Sequence, residues 1–468
     1  MSEATKIGVC GAGAMGSGIA QLAAQSGHVV VVYDVFVPSC ERSEAQIAGN
    51  LDQLVKRGKL DAGDAANVRN RLRWTDDVAD LADCGLVIEA IIEDLAAKQA
   101  LFAQLEQHVH DDAIVASNTS SLSIARLARG LVRPQRFIGM HFFNPATIMK
   151  LVEVVSGPET DPAIADRIGI IARRWGKVAV PVADVPGFIV NRVARPFYGE
   201  AFCGLQQRAA APEVIDLLFR QAAGFRMGPF ELTDLIGQDV NLAVARSIYE
   251  SYFGQTRFVP QLAQAALVDA GWLGRKTGRG VYDHAQALPV PEAIAAPALA
   301  DFSVRPALVT PALPVMVIGG VEVRIGRGRT AHSEAAKAGC DVALIDWFDA
   351  TIATAAGFAA SSEAAAGVAA GVLAAWGLQA YRLTDRPGLI VLRTLAQIAN
   401  AAGDALLESV SNRAGVDDAL RFGANYPFGP CEWAERLGAA VLVETMAALA
   451  ASTGQPMYNP SEYWMSQV

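Results

Sequence analysis

A chain of 468 residues that is 52% hydrophobic is too long for one ordinary core and apolar enough to build several. Its net charge of -9 argues against broad nucleic-acid binding, which needs a basic face, and no run reaches the roughly 18 uninterrupted apolar residues of a membrane span. The six cysteines (Cys10, Cys40, Cys84, Cys203, Cys340 and Cys431) show neither CxxC nor CxxH spacing, so they read as reduced, mostly buried residues.

The N-terminal stretch MSEATKIGVCGAG lacks the basic segment and apolar block of a secretory signal, and a cytoplasmic protein is expected. A strand over residues 6–10 runs into a Gly-rich turn. A helix over Met15–Ser26 then ends at Gly27, and a second strand, Val29–Tyr33, ends on Asp34. Residues 39–73 read as a helix pair with the basic run Lys56, Arg57 and Lys59 at its turn. Further strands at Leu86–Ala90, Ala113–Ser117 and Arg136–His141 predict an α/β doubly wound Rossmann domain with a mainly parallel sheet, assigned to residues 1–183.

After PVADVPG, amphipathic helical patterns dominate, so 184–285 is expected to be an all-α domain closed by the Gly- and Arg-rich turn GWLGRKTGRGVYDH at 271–284. In that turn Lys276 and Arg279 read as stabilising groups. A Pro/Ala-rich stretch at 287–314 reads as a linker. Strands at Val315–Ile318, Val342–Ile345 and Leu378–Leu383, separated by Ala-rich helices, make 286–384 a linker plus a reduced α/β block without GxGxxG.

A repeat organises the rest. DVPGFIVNR at 184–192 returns as DRPGLIVLR at 385–393, and MGPFEL at 227–232 returns as FGPCEW at 428–433, both at an offset of 201 residues. One offset for two separated motifs means a duplicated helical domain, so 385–468 is expected to be a second all-α copy. Leu392 stands in it where the first copy has Asn191, which predicts a non-catalytic copy that packs on the first. Homo-oligomerisation through the helical domains stays open.

GAGAMG at 11–16 matches G-x-G-x-x-G between a strand and a helix. Gly11 permits the tight turn, Gly13 lets pyrophosphate approach the backbone, Gly16 lets helix and strand pack, and Ala14 and Met15 open the helix beneath the phosphates. Asp34, 18 residues after Gly16, is placed to accept hydrogen bonds from an adenosine ribose. A carboxylate there repels a 2′-phosphate, so NAD is favoured over NADP.

Three motifs close the α/β block: SNTSSL at 117–122, GMHFFNP at 139–145 and KLVEVV at 150–155. His141 follows a strand at the ligand-binding end of such sheets, and Glu153 is a carboxylate inside an apolar strand. Alone, His141 reads as a hydrogen-bonded core histidine and Glu153 as a structural ion-pair partner. Together they suit alcohol oxidation, in which an imidazole takes the hydroxyl proton and a carboxylate orients it.

In this order, and with DVPGFIVNR and GWLGRKTGRGVYD, the motifs resemble the L-3-hydroxyacyl-CoA dehydrogenase family over residues 5 to about 283. The resemblance implies an oxidoreductase that takes a small-molecule acyl-CoA substrate, with no nucleic-acid or membrane partner and no metal. It implies Ser120 on the substrate oxygen, His141 as base, Glu153 as its orienting group and Asn191 near substrate and His141. It also implies NAD contacts from Glu93, Lys98 and Asn144, and CoA phosphate contacts from Lys56 and Arg57. Duller readings stand beside these: Ser120 as a helix cap, Asn191 as a buried structural amide, Lys56 and Arg57 as a solvated turn. The rival functions are a dehydrogenase of a small hydroxy or sugar acid and an NAD-binding structural protein in which catalysis has lapsed.

Overall fold

The computed structural model describes residues 5–296 and 313–468, so most of the expected linker lies outside the described residues. The chain divides into two compact units. The first runs to Ile189 and includes Ser409–Gly423; the second comprises Val190–Glu408 and Ala424–Val468.

The first unit is built on strands β1 (Ile7–Cys10), β2 (Val30–Tyr33), β3 (Leu72–Thr75), β4 (Leu86–Glu89), β5 (Ile114–Ser117), β6 (Phe137–Phe142), β7 (Leu151–Ser156) and β8 (Val178–Ala183). They form one sheet in the order β3-β2-β1-β4-β5-β6-β7-β8, parallel throughout except where β6 meets β7. Every residue of β1, β2, β4, β5 and β6 is buried, because helices cover both faces; this is why these segments are continuous apolar runs. The covering helices are α1 (Ala14–Gln25), α2 (Val37–Lys56), α3 (Ala62–Asn70), α4 (Leu95–His108), α5 (Ile124–Ala128) and α6 (Pro162–Arg174). Helices α2 and α3 are the expected pair with the basic run at their turn, but the pair ends at Asn70 and Leu72 begins an edge strand.

Strand β8 is the other edge. The Ala183 amide donates to the Val410 carbonyl (2.9 Å) and Ser411 Oγ to the Pro181 carbonyl (2.6 Å), so the returning segment 409–423 partly masks this edge.

The second unit opens with α7 (Val190–Val193), α8 (Arg195–Gln206), α9 (Pro212–Gln221), α10 (Pro229–Ile236), α11 (Gln238–Ser251) and α12 (Leu262–Asp269). The turn at 271–284 is held as expected: Lys276 pairs with Asp239 at 2.6 Å and the Arg279 guanidinium lies 3.7 Å over the Trp272 ring. A five-stranded sheet follows, made of β9 (Met316–Ile318), β10 (Val321–Ile325), β11 (Val342–Ile345), β12 (Ala355–Ala360) and β13 (Gln379–Arg382) in the order β13-β12-β11-β10-β9. It carries α13 (Ala331–Ala338) and α14 (Glu363–Ala375), and is the reduced α/β block. The chain ends with α15 (Val391–Leu407), α16 (Arg413–Gly423, grouped with the first unit), α17 (Pro430–Leu437), α18 (Ala439–Thr453) and α19 (Glu462–Met465).

The repeat survives in backbone detail. Helix α10 starts at Gly228 with the Glu231 side chain accepting from the Gly228 amide (3.0 Å), and α17 starts at Gly429 with Glu432 accepting from the Gly429 amide (2.9 Å). The corresponding residues Phe188 and Leu389 both take the left-handed conformation, with φ of 50 and 55. Helix α15 of the second copy packs on α8 of the first through a buried charge network: Arg393 Nε lies 2.6 Å from Glu200 Oε2, and the Tyr458 hydroxyl donates to Glu200 Oε1 at 2.7 Å. Among the described residues no single helix is long and apolar enough to cross a membrane.

Gly16 shows how tightly the first strand and helix meet: a Cβ there would lie 1.8 Å from the Gly11 carbonyl oxygen. Gly16→Ala is therefore expected to lower stability by roughly 2–4 kcal/mol, measured by denaturant or thermal unfolding. An unchanged midpoint would contradict this packing.

Candidate active site

The GAGAMG turn presents a bare backbone. Gly11 has φ +104, and a Cβ there would strike the Ala90 carbonyl. At Gly13, the N-cap of α1, an added Cβ would meet nothing within 4 Å, so this glycine borders open space where a ligand can approach. Helix α1 has neither a side-chain cap nor an acid in its first turn, which leaves the amides of Ala14 and Met15 and the positive helix end for a diphosphate. Asp34 sits at the end of β2. Its Oδ2 accepts from the Ala12 amide (2.8 Å) and its Oδ1 from the Phe36 amide (2.9 Å), which fixes the carboxylate beside the turn with lone pairs to spare. A cavity of about 220 Å3 lined by Gly11, Asp34, Val35, Ile91 and Gln104 adjoins it. These residues fit an adenosine diphosphate with its ribose on Asp34.

At the ends of β4 and β5 lies a second polar cluster. Buried Lys98 reaches Glu89 Oε1 (2.5 Å) and Glu93 Oε2 (3.2 Å), and Ser117 Oγ donates to Glu89 Oε2 (2.6 Å). Glu93 Oε1 accepts from Thr119 Oγ1 (2.6 Å), Ser121 Oγ (2.9 Å) and the Ser120 amide (3.0 Å). Burial works against ionising Glu93, but these donors and the Lys98 charge outweigh it and hold its carboxyl below the ordinary range. The structure rules out Ser120 as a cap: α5 is capped by Ser123, whose Oγ accepts from the Arg126 amide, while Ser120 is exposed with its hydroxyl 3.5 Å from Glu93.

His141 and Glu153 are direct partners across the antiparallel β6–β7 ladder. His141 Nδ1 lies 2.7 Å from Glu153 Oε2, with the residues 5% and 0% exposed. Glu153 Oε1 accepts from the Ile189 amide (3.0 Å). A carboxylate can only accept, so the pairing assigns the proton to Nδ1 and leaves Nε2 as the basic nitrogen. The Phe143 and Phe188 rings stand 4.5 and 5.7 Å from the imidazole. The Phe142 amide donates to Asn118 Oδ1 (2.8 Å), which ties the end of β6 to the SNTSSL segment.

The first unit therefore brings together Gly11, Gly13, Ala14, Met15, Gly16 and Asp34; next to Glu89 it gathers Glu93, Lys98 and Ser120; and it pairs His141 with Glu153. Asn144 is exposed in the loop after β6, and Lys56 and Arg57 are exposed at the end of α2. Asn191 is half-buried on α7 of the second unit. Sequence reasoning passed over Glu89 and Asn118. Glu89 ends an apolar strand just as Glu153 interrupts one, so the same signal was present.

The comparisons agree with this geometry. Residues 6–185 match the family model described as 3-hydroxyacyl-CoA dehydrogenase, NAD binding domain; 187–284 and 388–468 match its C-terminal domain; and 323–387 match the 3-hydroxybutyryl-CoA dehydrogenase reduced Rossmann-fold domain. The chain is 40% identical over 461 residues to the 3-hydroxyadipyl-CoA dehydrogenase of Escherichia coli K12, covering 98% of this chain and 96% of that protein. It is 40% identical to a 3-hydroxybutyryl-CoA dehydrogenase of Bradyrhizobium diazoefficiens over 286 residues, 61% of this chain and 97% of that one. The crystal structure of an Escherichia coli K12 3-hydroxybutyryl-CoA dehydrogenase superposes with a TM-score of 0.94 at 38% identity, covering 99% and 98% of the two chains.

Because Gly13 faces open space, Gly13→Ala is expected to unfold like the wild type yet bind NADH at least about tenfold more weakly, since its methyl stands where the diphosphate must approach. Titration by NADH fluorescence checks this; unchanged affinity would move the dinucleotide away from the turn.

Proposed function

The chain belongs to the 3-hydroxyacyl-CoA dehydrogenase family, and from that premise we propose that His141 is the proton acceptor in NAD-dependent oxidation of an L-3-hydroxyacyl-CoA to the 3-oxoacyl-CoA. The enzyme is an NAD-dependent oxidoreductase, and the comparisons support this reaction rather than the small hydroxy acid or lapsed-enzyme readings. The observation that carries the assignment is the buried His141–Glu153 pair.

NAD, when bound on the GAGAMG turn, supplies the hydride acceptor. The protein's part is to move the proton. As the C3–H bond gives up its hydride, the hydroxyl proton passes to His141 Nε2, and Glu153 stabilises the imidazolium through the Nδ1 proton. The aromatic rings around the imidazole limit competing water. Ser120 serves the substrate oxygen, the family resemblance assigns Asn191 to the substrate as well, and Lys56 and Arg57 supply exposed positive charge for the CoA phosphates on an otherwise acidic protein. The acyl chain comes from the same range as the relatives' named substrates, butyryl and adipyl thioesters.

NADH formation from L-3-hydroxybutyryl-CoA tests the assignment. His141→Ala is expected to abolish turnover, and Glu153→Gln, which keeps the shape but can present an amide hydrogen to the imidazole, to lower kcat about 10²–10⁴-fold. Near-wild-type kcat in either variant would remove that residue from the chemistry. Replacing Lys56 and Arg57 together by Ala is expected to raise the thioester KM by about 3–10-fold, with a difference that shrinks as salt is added; a KM insensitive to both changes would place the CoA phosphates elsewhere.

A further inference from the structure

Other arginines packed into the second unit find a side-chain acceptor. Arg192 pairs with Glu408 (2.8 Å), Arg257 with Asp404 (2.6 Å) and Arg393 with Glu200 (2.6 Å), and buried Arg386 donates to the Gln207 side chain. Arg195 differs from these. It is 9% exposed, and its Nε and Nη1 are buried without an acceptor among the described residues. The groups felt by its charge are two phenols, Tyr198 and Tyr426. Its guanidinium lies 4.9 Å over the Tyr198 ring, and the Tyr426 hydroxyl is likewise buried without a partner. Burial draws the Arg195 pKa below its ordinary value. A cation held this way is strongly disfavoured unless an anion joins it, and two phenols with one guanidinium make a donor set shaped for a carboxylate.

Its position on the chain gives the cluster a direction. Arg195 follows Asn191 by four residues across the junction of α7 and α8, where Ala194 has φ -77 and ψ -8. The two residues are therefore about one turn apart along the chain. A carboxyl carbon three C–C bonds beyond a carbinol carbon lies roughly 4 Å from it, at bond lengths of about 1.5 Å. The spacing suits an acyl chain whose C3 hydroxyl is near Asn191 and whose end is near Arg195.

The duplication supplies an independent comparison. At the offset of 201, Arg192 is answered by Arg393, so framework charges persist in both copies. Asn191, Arg195 and Tyr198 are answered by Leu392, Ala396 and Ala399, and Tyr426 by Phe225. Arg195 and Tyr198 are present in the copy that has the asparagine and are lost from the copy that lacks it, while Tyr426 is a tyrosine only in the latter, so the three residues are not a framework feature repeated in both copies. The reduced copy is not idle, because Tyr426 comes from it.

We propose that Arg195, together with Tyr198 and Tyr426, receives the terminal carboxylate of a dicarboxylyl-CoA substrate, so that the enzyme selects 3-hydroxyacyl chains that end in an acid. This rests on the substrate-facing role given to Asn191 above. It assigns the second helical copy a part in substrate selection.

The test compares L-3-hydroxyadipyl-CoA with L-3-hydroxyhexanoyl-CoA, equal in chain length and differing in a terminal carboxylate or methyl. Wild type is expected to favour the acid by about 10- to 100-fold in kcat/KM, the worth of hydrogen bonds to a charged group. Arg195→Met should remove most of that preference through KM for the acid, and Tyr426→Phe, which deletes one oxygen atom and so preserves the packing, should remove part of it. Equal use of the two thioesters by wild type, or loss of activity in parallel on both by the variants, overturns the carboxylate site. Turnover of neither thioester by wild type would instead refute the parent reading.

Discussion

The direct pairing of His141 with Glu153 across two antiparallel strands is the constraint on which the rest of the site depends. In a sheet otherwise parallel at every neighbouring pair, β7 runs against β6, and that reversal puts the two residues opposite each other at the end of β6 where doubly wound sheets bind ligands. A carboxylate with no exposure is tolerable only if its oxygens are engaged; the imidazole takes one and the Ile189 amide the other. Ile189 is the last residue of the first unit before the chain leaves for the helical unit, so the carboxylate that pairs with His141 also anchors the chain at that exit.

The helical domain is duplicated, and its two copies have diverged in sequence. Structural devices are kept in both copies: the Glu231 and Glu432 helix starts, the left-handed Phe188 and Leu389, and the paired Arg192 and Arg393. Polarity differs at other positions, where Asn191 and Arg195 of the first copy correspond to Leu392 and Ala396 of the second. The second copy contributes to both units, since α15 packs on α8 and the segment Ser409–Gly423 partly masks the β8 edge.

Those parts of the molecule whose physics is local were legible from the chain alone. Strands β1, β2, β4, β5 and β6 are buried on both faces and read as apolar runs; the glycine turn has its conformational requirement written into Gly11 and Gly16. Edges were harder. Strand β3 buries only Leu72, and β8 contains Pro181, which can stand only where its missing amide is not needed. Strand β12, AAGFAA, lies in the stretch expected to hold only Ala-rich helix, and burial of all six residues overrides alanine's helix preference there. In the site, GMHFFNP and KLVEVV exposed His141 and Glu153, because a charge inside an apolar strand demands a partner. Arg195 gave no such signal: an arginine at the start of a helix is ordinary, and only tertiary packing buries it.

With Glu153 on Nδ1, the nitrogen of His141 left to react in the proposed oxidation is Nε2. Nitrogen NMR of histidine-labelled enzyme with NADH bound, assigned by His141→Ala, tests it directly. The expected result is that Nδ1 of His141 stays protonated and that Nε2 alone gains and loses a proton. A neutral ring carrying its proton on Nε2 would contradict it.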